Sequence, residues 1–397
     1  MTRTRPRATR VAAALLACGL LAAGCSRGAD DRGSSVPSPS PSTSVDHGSH
    51  EDTAAQPARS RPLRAGERIV RVAMPKPYTP SAPYGAGTDD YRCFVLDPHL
   101  AEDSFITGLN ILPGTRKVVH HVILFRLPPG SEAAAEQMDE SDPGEGWTCF
   151  GGTGLENEEA VQDAPWLGAW APGGKEQVMA RDVGVPMQAG SKVIMQVHYN
   201  LLAGPKPDVT SAQLRLAPGT KDLAALQTVL LPAPVELPCR PGHDQNRLCD
   251  RDAAVEDAET RFGPAGQAAN YLHFLCGRLH PGPVQTCDQK VRRPETVRAV
   301  AGHMHLLGRS IKIQVNPGTD RARTVLDIPT WDFDNQGAKP VDPVRLEPGD
   351  TVRVTCHHDQ HLRDLLPAFR NQPERYVVWG EGTTDEMCLG ILLVTRP

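Results

Sequence analysis

Residues 117–125, KVVHHVILF, combine an apolar, β-branched run with two adjacent histidines, His120 and His121. Runs of this composition are typical of buried β-strands. A buried imidazole needs a partner for each ring nitrogen. Because neighbouring strand residues point to opposite faces, both histidines reach one ligand only if the strand ends or bulges there, or if they bind through different ring nitrogens. The stretch predicts a buried strand and raises the question of what its histidines face.

Similar strand-like runs, rich in Val, Ile and Leu and separated by Pro/Gly turns, continue from about residue 68 to the end of the chain. NPGTD at 316–320 indicates a hairpin, and 37 prolines disfavour long helices. Only 267–275 and 361–370 suggest short helices. We therefore predict an all-β protein built as β-sandwiches or jelly rolls. A Pro/Gly break at 201–208 predicts two domains, 67–205 and 206–397.

The N-terminus has the plan of an export signal, with a basic start, an apolar stretch over residues 11–24 and then Cys25. The LAAGC ending of this stretch looks like a bacterial lipobox. We therefore predict a signal peptide at 1–24 and a lipid anchor at Cys25, which would place the protein on the outer face of the cytoplasmic membrane. Simple cleavage would instead release it as an extracellular protein.

Residues 25–66 are rich in Ser, Pro, Gly and charge, which predicts a disordered tether. Removing 1–24, with its four arginines and no acids, changes the formal net charge from −5 to −9. No basic run follows, so nucleic-acid binding has no support. The eight cysteines after Cys25 form an even set in an exported chain, which predicts four disulfides of open connectivity.

Five histidines lie within strand-like runs, and they suggest a metal site. Residues two apart share one face of a strand, so His303 and His305 can grip one ion. Imidazole suits zinc, copper, iron and nickel, whereas a thioether such as that of Met387 favours Cu(I). CHHDQH at 356–361 also resembles a metal cluster, but it lies in a polar, loop-like stretch. The five histidines are His120, His121, His198, His303 and His305.

Five motifs in one order resemble the copper type II, ascorbate-dependent monooxygenases, the family of peptidylglycine hydroxylating monooxygenase and dopamine β-monooxygenase. The resemblance covers about residues 68–397, and DDYRC at 89–93 and WDFDNQ at 331–336 also fit it. The motifs are HHVILF (120–125), QVHYN (196–200), HMHLLGR (303–309), PGDTVRVTC (348–356) and TTDEMC (383–388).

The resemblance implies two jelly-roll domains that face each other across a wet cleft, with one copper on each. The N-terminal domain would hold the electron-transfer copper through His120, His121 and His198. The C-terminal domain would hold the oxygen-binding copper, and its catalytic ligands would be His303, His305 and Met387. The implied reaction is hydroxylation of a C–H bond with O2 and electrons from ascorbate or a similar reductant.

The resemblance also implies the disulfides Cys93–Cys149 and Cys356–Cys388, the second of which would pin Met387. Proximity in the sequence then suggests Cys239–Cys249 and Cys276–Cys287 for the remaining four cysteines. Tyr91 and Gln196 are candidates for orienting the imidazoles or ordered water.

Two positions depart from the amidating members of the family. Those members hold a peptide carboxylate with an arginine and a tyrosine, where this chain has Ala301 and Ile391. Peptide amidation is therefore not expected, and the substrate stays open. The alternatives are a non-catalytic copper-handling lipoprotein with the same ligands, a surface interaction module, and a zinc hydrolase, which would leave Met387 without a role.

Overall fold

The structure, a computed structural model, describes residues 61–83, 87–155, 166–278 and 280–397. The predicted signal peptide, the lipidation site at Cys25 and most of the tether lie outside these residues. The described residues all belong to one compact unit. No helix among them is long and apolar enough to cross a membrane.

The N-terminal half is an eight-stranded jelly roll with two short additional strands. One layer has the strand order β1-β10-β3-β8, and β7 pairs with β3; the other has the order β5-β2-β9-β4-β6. The elements are β1 (Arg68–Ala73), β2 (Asp89–Leu96), β3 (Ser104–Leu112), β4 (Val119–Leu127), α1 (Glu132–Ser141), β5 (Trp147–Thr148), β6 (Trp166–Trp170), β7 (Gln177–Val178), β8 (Val183–Met187), β9 (Lys192–Asn200) and β10 (Ser211–Pro218).

The C-terminal half repeats this topology. Its layers have the orders β11-β20-β14-β17 and β13-β18-β15-β16, while β12 and β19 form a separate pair. The strands are β11 (Ala224–Pro232), β12 (Glu236–Leu237), β13 (Val284–Lys290), β14 (Glu295–His303), β15 (Gly308–Val315), β16 (Arg323–Ile328), β17 (Lys339–Leu346), β18 (Thr351–His358), β19 (Val377–Val378) and β20 (Leu389–Thr395). The helices are α2 (Arg251–Phe262) and α3 (Ala268–Cys276), with 3₁₀ turns at Arg247–Cys249, Gly263–Gln267, Gln360–Asp364 and Pro367–Phe369.

Without the short strands β5, β7, β12 and β19, each half has eight strands. Counted along the chain, they lie side by side in the order 1-8-3-6 in one layer and 2-7-4-5 in the other. This arrangement is the double Greek key of a jelly roll. The predicted all-β class with two tandem jelly rolls is therefore confirmed. The repeat exists in the topology although no internal repeat is evident in the sequence.

A single sheet runs through both halves because β8 pairs in parallel with β11. Each half has its own large hydrophobic core between its two layers. The N-terminal half extends beyond the predicted limit at residue 205, since β10 pairs with β1 and β3 and contributes Leu214 and Leu216 to the N-terminal core. The Pro/Gly break at 201–208 lies between β9 and β10 of one jelly roll and does not separate the domains.

The turns and helices predicted from local sequence patterns are only partly present. The hairpin predicted around NPGTD connects β15 with β16, and α3 occupies most of 267–275. The stretch 361–370 contains 3₁₀ turns in place of a helix, and the sequence analysis missed α2. A capping signal marks α2, because the side chain of Asp250 accepts a hydrogen bond from the backbone N–H of Ala253.

Candidate metal centres

A β-bulge brings the paired histidines to one side of their strand. The register between β4 and β9 shifts between Val119 and His121, so that His121 lies opposite His198 while His120 is the additional residue. A bulge turns the side chain of the additional residue toward that of its neighbour. Of the geometries that the sequence left open, the structure therefore has the bulge, and both histidines present the same ring nitrogen, Nδ1.

Three imidazole nitrogens converge in the N-terminal half. The Nδ1 atom of His120 lies 3.2 Å from that of His121 and 3.3 Å from that of His198, and the last two are 3.3 Å apart. The centre of such a triangle is about 1.9 Å from each nitrogen, close to the ~2.0 Å of a metal–imidazole bond. These residues are the one group of three His, Cys, Asp or Glu side chains with metal-binding spacing in the described chain. They fit a metal ion, which the structure does not contain.

Hydrogen bonding and burial orient these nitrogens as ligands. His198 donates its Nε2–H to Asp89 Oδ1 at 2.8 Å, which leaves its Nδ1 lone pair directed at the other two rings. Burial lowers the pKa of His121 and of His198 well below the usual value, so both rings stay neutral as metal ligands must be. Burial also raises the pKa of Asp89 to about 6, which leaves it mostly ionised at neutral pH.

Aromatic rings from both halves flank this group, which we call the three-histidine centre. Tyr91 stacks on His198 with 4.1 Å between ring centroids. Phe333, which belongs to the C-terminal half, stacks on His120 at 4.3 Å. Gln196 does not orient an imidazole through its amide nitrogen. Its Nε2 donates to the carbonyls of Cys149 and Gly152, at 2.8 and 2.9 Å, and so holds the loop beside the centre.

The second group of histidines lies where β14 ends in the C-terminal half. The Nε2 atoms of His303 and His305 are 3.2 Å apart. His303 donates its Nδ1–H to Gln336 Oε1 at 2.6 Å, so its Nε2 is the free acceptor. Burial lowers the pKa of His303 to about 3, which keeps this ring neutral as well.

The backbone of the H-x-H segment is fixed by a buried carboxylate, Glu386. It accepts backbone hydrogen bonds from His305 at 2.9 Å, Leu307 at 2.5 Å and Met387 at 3.1 Å. Its Oε2 also lies 3.4 Å from His358 Nε2. Glu386 therefore ties the histidine segment to the segment that carries Met387.

Met387 lies directly before β20, next to the disulfide Cys356–Cys388. In the β14–β20 pairing His303 is opposite Leu389, and Glu386 accepts backbone hydrogen bonds from both His305 and Met387, so the two segments lie close together. The side chain of Met387 is buried. The C-terminal half thus brings two imidazoles and one thioether to one end of its sheet. We call this group the His–Met centre.

The two centres are in direct contact. The rings of His121 and His303 meet edge to face with their centroids 5.8 Å apart, and Phe333 lies between His120 and His305. The resemblance implies a wet cleft between the halves, whereas in this structure the rings of the two centres meet and the histidines are buried or half-buried. The halves instead close over the histidines, which explains why His120 is only 4% exposed and His305 only 1%.

Polar contacts between the halves surround the two centres. Thr383 donates to Asp89 at 2.5 Å, and the Tyr91 hydroxyl donates to the carbonyl of Glu381 at 2.9 Å. Burial raises the pKa of the Glu381 carboxyl to about 7. The closed arrangement thus buries carboxylates that are sensitive to pH.

All four expected disulfides are present: Cys93–Cys149, Cys239–Cys249, Cys276–Cys287 and Cys356–Cys388. CHHDQH at 356–361 is not a metal cluster, because His358 is buried against Glu386 whereas His357 is exposed. Four supporting residues were not predicted from the sequence. Each stands inside one of the sequence motifs, but their roles depend on contacts between distant segments; they are Asp89, Phe333, Gln336 and Glu386.

Comparison with known proteins adds little. No protein-family model matches the chain. No curated protein matches it either. It is similar to the structure of Paenibacillus xanthan lyase at 11% identity, over 81% of this chain and 25% of that chain, with a TM-score of 0.19. It thus spans about a quarter of the length of that protein.

Two further structures are similar over most of their length. The coconut allergen cocosin matches at 11% identity over 83% of this chain and 86% of its own, with a TM-score of 0.16. Procruciferin, an 11S globulin from Brassica napus, matches at 12% over 78% and 77%, also with a TM-score of 0.16. Scores this low carry no functional argument, so the function has to be argued from the two centres.

Proposed function

We propose that this protein is an exported copper-dependent monooxygenase, which hydroxylates a C–H bond with O2 and electrons from an ascorbate-like reductant. The observation that carries the proposal is the convergence of three imidazole Nδ1 atoms within 3.3 Å, in contact with a second histidine pair next to a methionine. Bound copper would supply one-electron redox chemistry and activation of O2.

The donor sets favour copper over zinc. Imidazole serves either metal, but the thioether of Met387 is a soft donor that suits Cu(I). A zinc hydrolase would need a carboxylate acting as a general base beside the ion. The nearest carboxylates already have structural partners: Asp89 accepts from His198 and Thr383, and Glu386 accepts three backbone N–H groups.

The protein itself would position the ligands and exclude water. The three-histidine centre would be the electron-transfer site, since all its ligands sit on paired strands and move little. In the His–Met centre His303 and His305 lie at and beyond a strand end, so this group has more freedom to admit O2 and substrate. Phe333 would seal the junction between the centres and limit the loss of electrons to solvent.

The substrate would differ from that of the amidating enzymes. Ala301 and Ile391 are opposite each other across the β14–β20 pair. An apolar pair in these positions provides no cation for a terminal carboxylate and no hydroxyl to orient it. We therefore expect a substrate without a carboxylate at this position.

Export is supported by four disulfides, which persist in oxidising compartments. A lipid anchor at Cys25 would then hold the protein at the membrane surface. Metabolic labelling with a radioactive fatty acid tests the anchor, because a Cys25→Ser variant should lose the label while keeping the same folded domain.

The central experiment measures copper content, X-ray absorption and ascorbate-driven oxygen uptake on the purified, copper-loaded protein with a library of small molecules and peptides. We expect two coppers per chain and sulfur scattering that disappears in Met387→Ala. His361→Ala is the matched control, since this exposed histidine lies outside both centres and pairs with Asp359. Two bound coppers without substrate-dependent oxygen uptake would favour the copper-handling alternative. One copper or none would refute the proposal.

A further inference from the structure

A cavity lies at the end of the C-terminal jelly roll opposite the His–Met centre. It has a volume of about 370 Å³ and opens where β13 ends at Lys290, β14 begins at Glu295 and β20 ends at Thr395. His303 stands at the opposite end of this nine-residue strand, eight residues after Glu295. At a rise of ~3.3 Å per residue, the cavity is roughly 26 Å from the His–Met centre. It is therefore a separate site.

The inner wall of this cavity is apolar. Side chains from both layers of the sandwich line it, so the cavity extends into the space between the sheets. Its volume falls within the ~300–1,000 Å³ of small-molecule sites in proteins. The apolar lining residues are Val229, Leu231, Val291, Val352 and Leu392.

The mouth of the cavity is cationic. Lys290, Arg292, Arg293 and Arg396 line it, against a single acid, Glu295. Glu295 already faces Arg396, with 3.4 Å between the charged atoms. The rim thus keeps an excess of positive charge, although the chain after residue 24 carries a net charge of −9.

Two acids near the mouth have cationic partners of their own. In the 347–350 turn beside the mouth, Glu347 pairs with Arg345 at 2.5 Å and Asp350 pairs with Arg321 at 2.9 Å. The ammonium group of Lys290 lies on the same turn, where it donates to Thr351 Oγ1 at 2.6 Å. An anion at the mouth would therefore meet several cations.

We propose that this cavity binds a small anionic amphiphile, with its hydrocarbon chain between the sheets and its carboxylate or phosphate head at the basic rim. An apolar interior with charge confined to the mouth matches a molecule of that design, because each part is desolvated only where it finds a complementary surface. This inference does not rest on the copper chemistry proposed above.

The test is calorimetric titration of the copper-loaded, full exported chain with decanoate, with decyl phosphate and with the uncharged methyl ester of decanoate. We expect both anions to bind with one site per chain, and the ester to bind at least about tenfold more weakly. A double variant, Arg292→Ser with Arg293→Ser, should weaken decanoate binding to a similar degree. Arg323→Ser, which removes an exposed charge on β16, is the matched control and should leave binding unchanged.

A third variant, Val229→Phe, fills the cavity from β11 and should abolish decanoate binding while oxygen uptake at the copper centres stays unchanged. Equal binding of the ester and the acid would overturn the proposal, since it would indicate unspecific partition. Unchanged binding in the folded Val229→Phe protein would also overturn it. So would binding to phosphatidylglycerol vesicles without binding to monomeric decanoate, because the rim would then be a membrane contact.

Discussion

The two halves of this protein share one topology but present their histidines differently. In the N-terminal half, the ligand candidates come from within two paired strands, β4 and β9, and a bulge supplies the additional side chain. In the C-terminal half they come from the end of β14 and from the segment before β20. The first group is held by the sheet itself, whereas the second depends on one buried carboxylate, Glu386.

This difference shows how one fold can carry two kinds of centre. Ligands on paired strands have little freedom, which suits a site that only passes electrons. Ligands at strand ends can include a residue of another type, here Met387, and can leave room for a small molecule. The role of each half would therefore depend on whether its donor residues lie within paired strands or at strand ends.

The largest expected effect comes from removing one ligand in each half. His120→Ala and His305→Ala should each lose one of two coppers and keep the other, because each centre has its own donors. Mutation of a residue that hydrogen-bonds to a metal ligand typically lowers metal affinity or activity about 10–100-fold. Loss of the ligand itself should therefore reduce turnover by more than about 100-fold. Metal analysis and ascorbate-driven oxygen uptake measure both effects. Loss of both coppers in either variant would show that the centres do not bind independently.

Glu386→Ala should destabilise the C-terminal half by roughly 3–5 kcal/mol, since three buried backbone N–H groups lose their acceptor. Urea denaturation measures this change. Glu386→Gln keeps an acceptor of the same shape and should restore part of the stability. A loss below about 1 kcal/mol in the alanine variant would mean that the strand end does not depend on this carboxylate.

Asp89→Asn tests the N-terminal half in the corresponding way. The amide is a weaker acceptor for His198 Nε2–H, so copper affinity at the three-histidine centre should fall about tenfold. Competition with a copper chelator measures the affinity, and the copper of the His–Met centre serves as the internal control. An equal loss at both centres would contradict a local role for Asp89.

The last prediction concerns pH and the contact between the halves. Because burial raises the pKa of Glu381 to about 7, the folded protein keeps this group protonated over a range in which the unfolded chain, with a pKa near 4.5, has released the proton. Its contribution to stability is therefore present at low pH and is lost as pH rises from about 4.5 to about 7. In the Glu381→Gln variant the side chain at this position does not titrate.

Urea denaturation at several pH values should therefore show the stability of wild type falling by up to about 3 kcal/mol relative to that of Glu381→Gln over this window. Both proteins contain the buried histidines and Asp89, so their titrations cancel in the difference. Parallel stability curves for the two proteins would contradict a buried, protonated Glu381.

Much of the fold could be predicted from local patterns. The β-branched runs identified most long strands, and the cysteines closest in sequence, Cys239–Cys249 and Cys276–Cys287, form disulfides. The boundary between the two halves was harder to predict from the sequence. The Pro/Gly break at 201–208 resembles a linker, but it joins strands of one jelly roll, and only the pairing of β10 with β1 and β3 reveals this.

The amino-acid sequence alone determined the β class and the identity of the candidate donors, because side-chain period and ligand chemistry are properties of short segments. Only the tertiary structure decided that His120 and His121 share one side of a bulged strand and that the halves close until His121 meets His303. It also decided that Asp89, Phe333 and Glu386 support the centres. These outcomes depend on register and on packing between segments as far apart as Asp89 and Thr383, which no local pattern encodes.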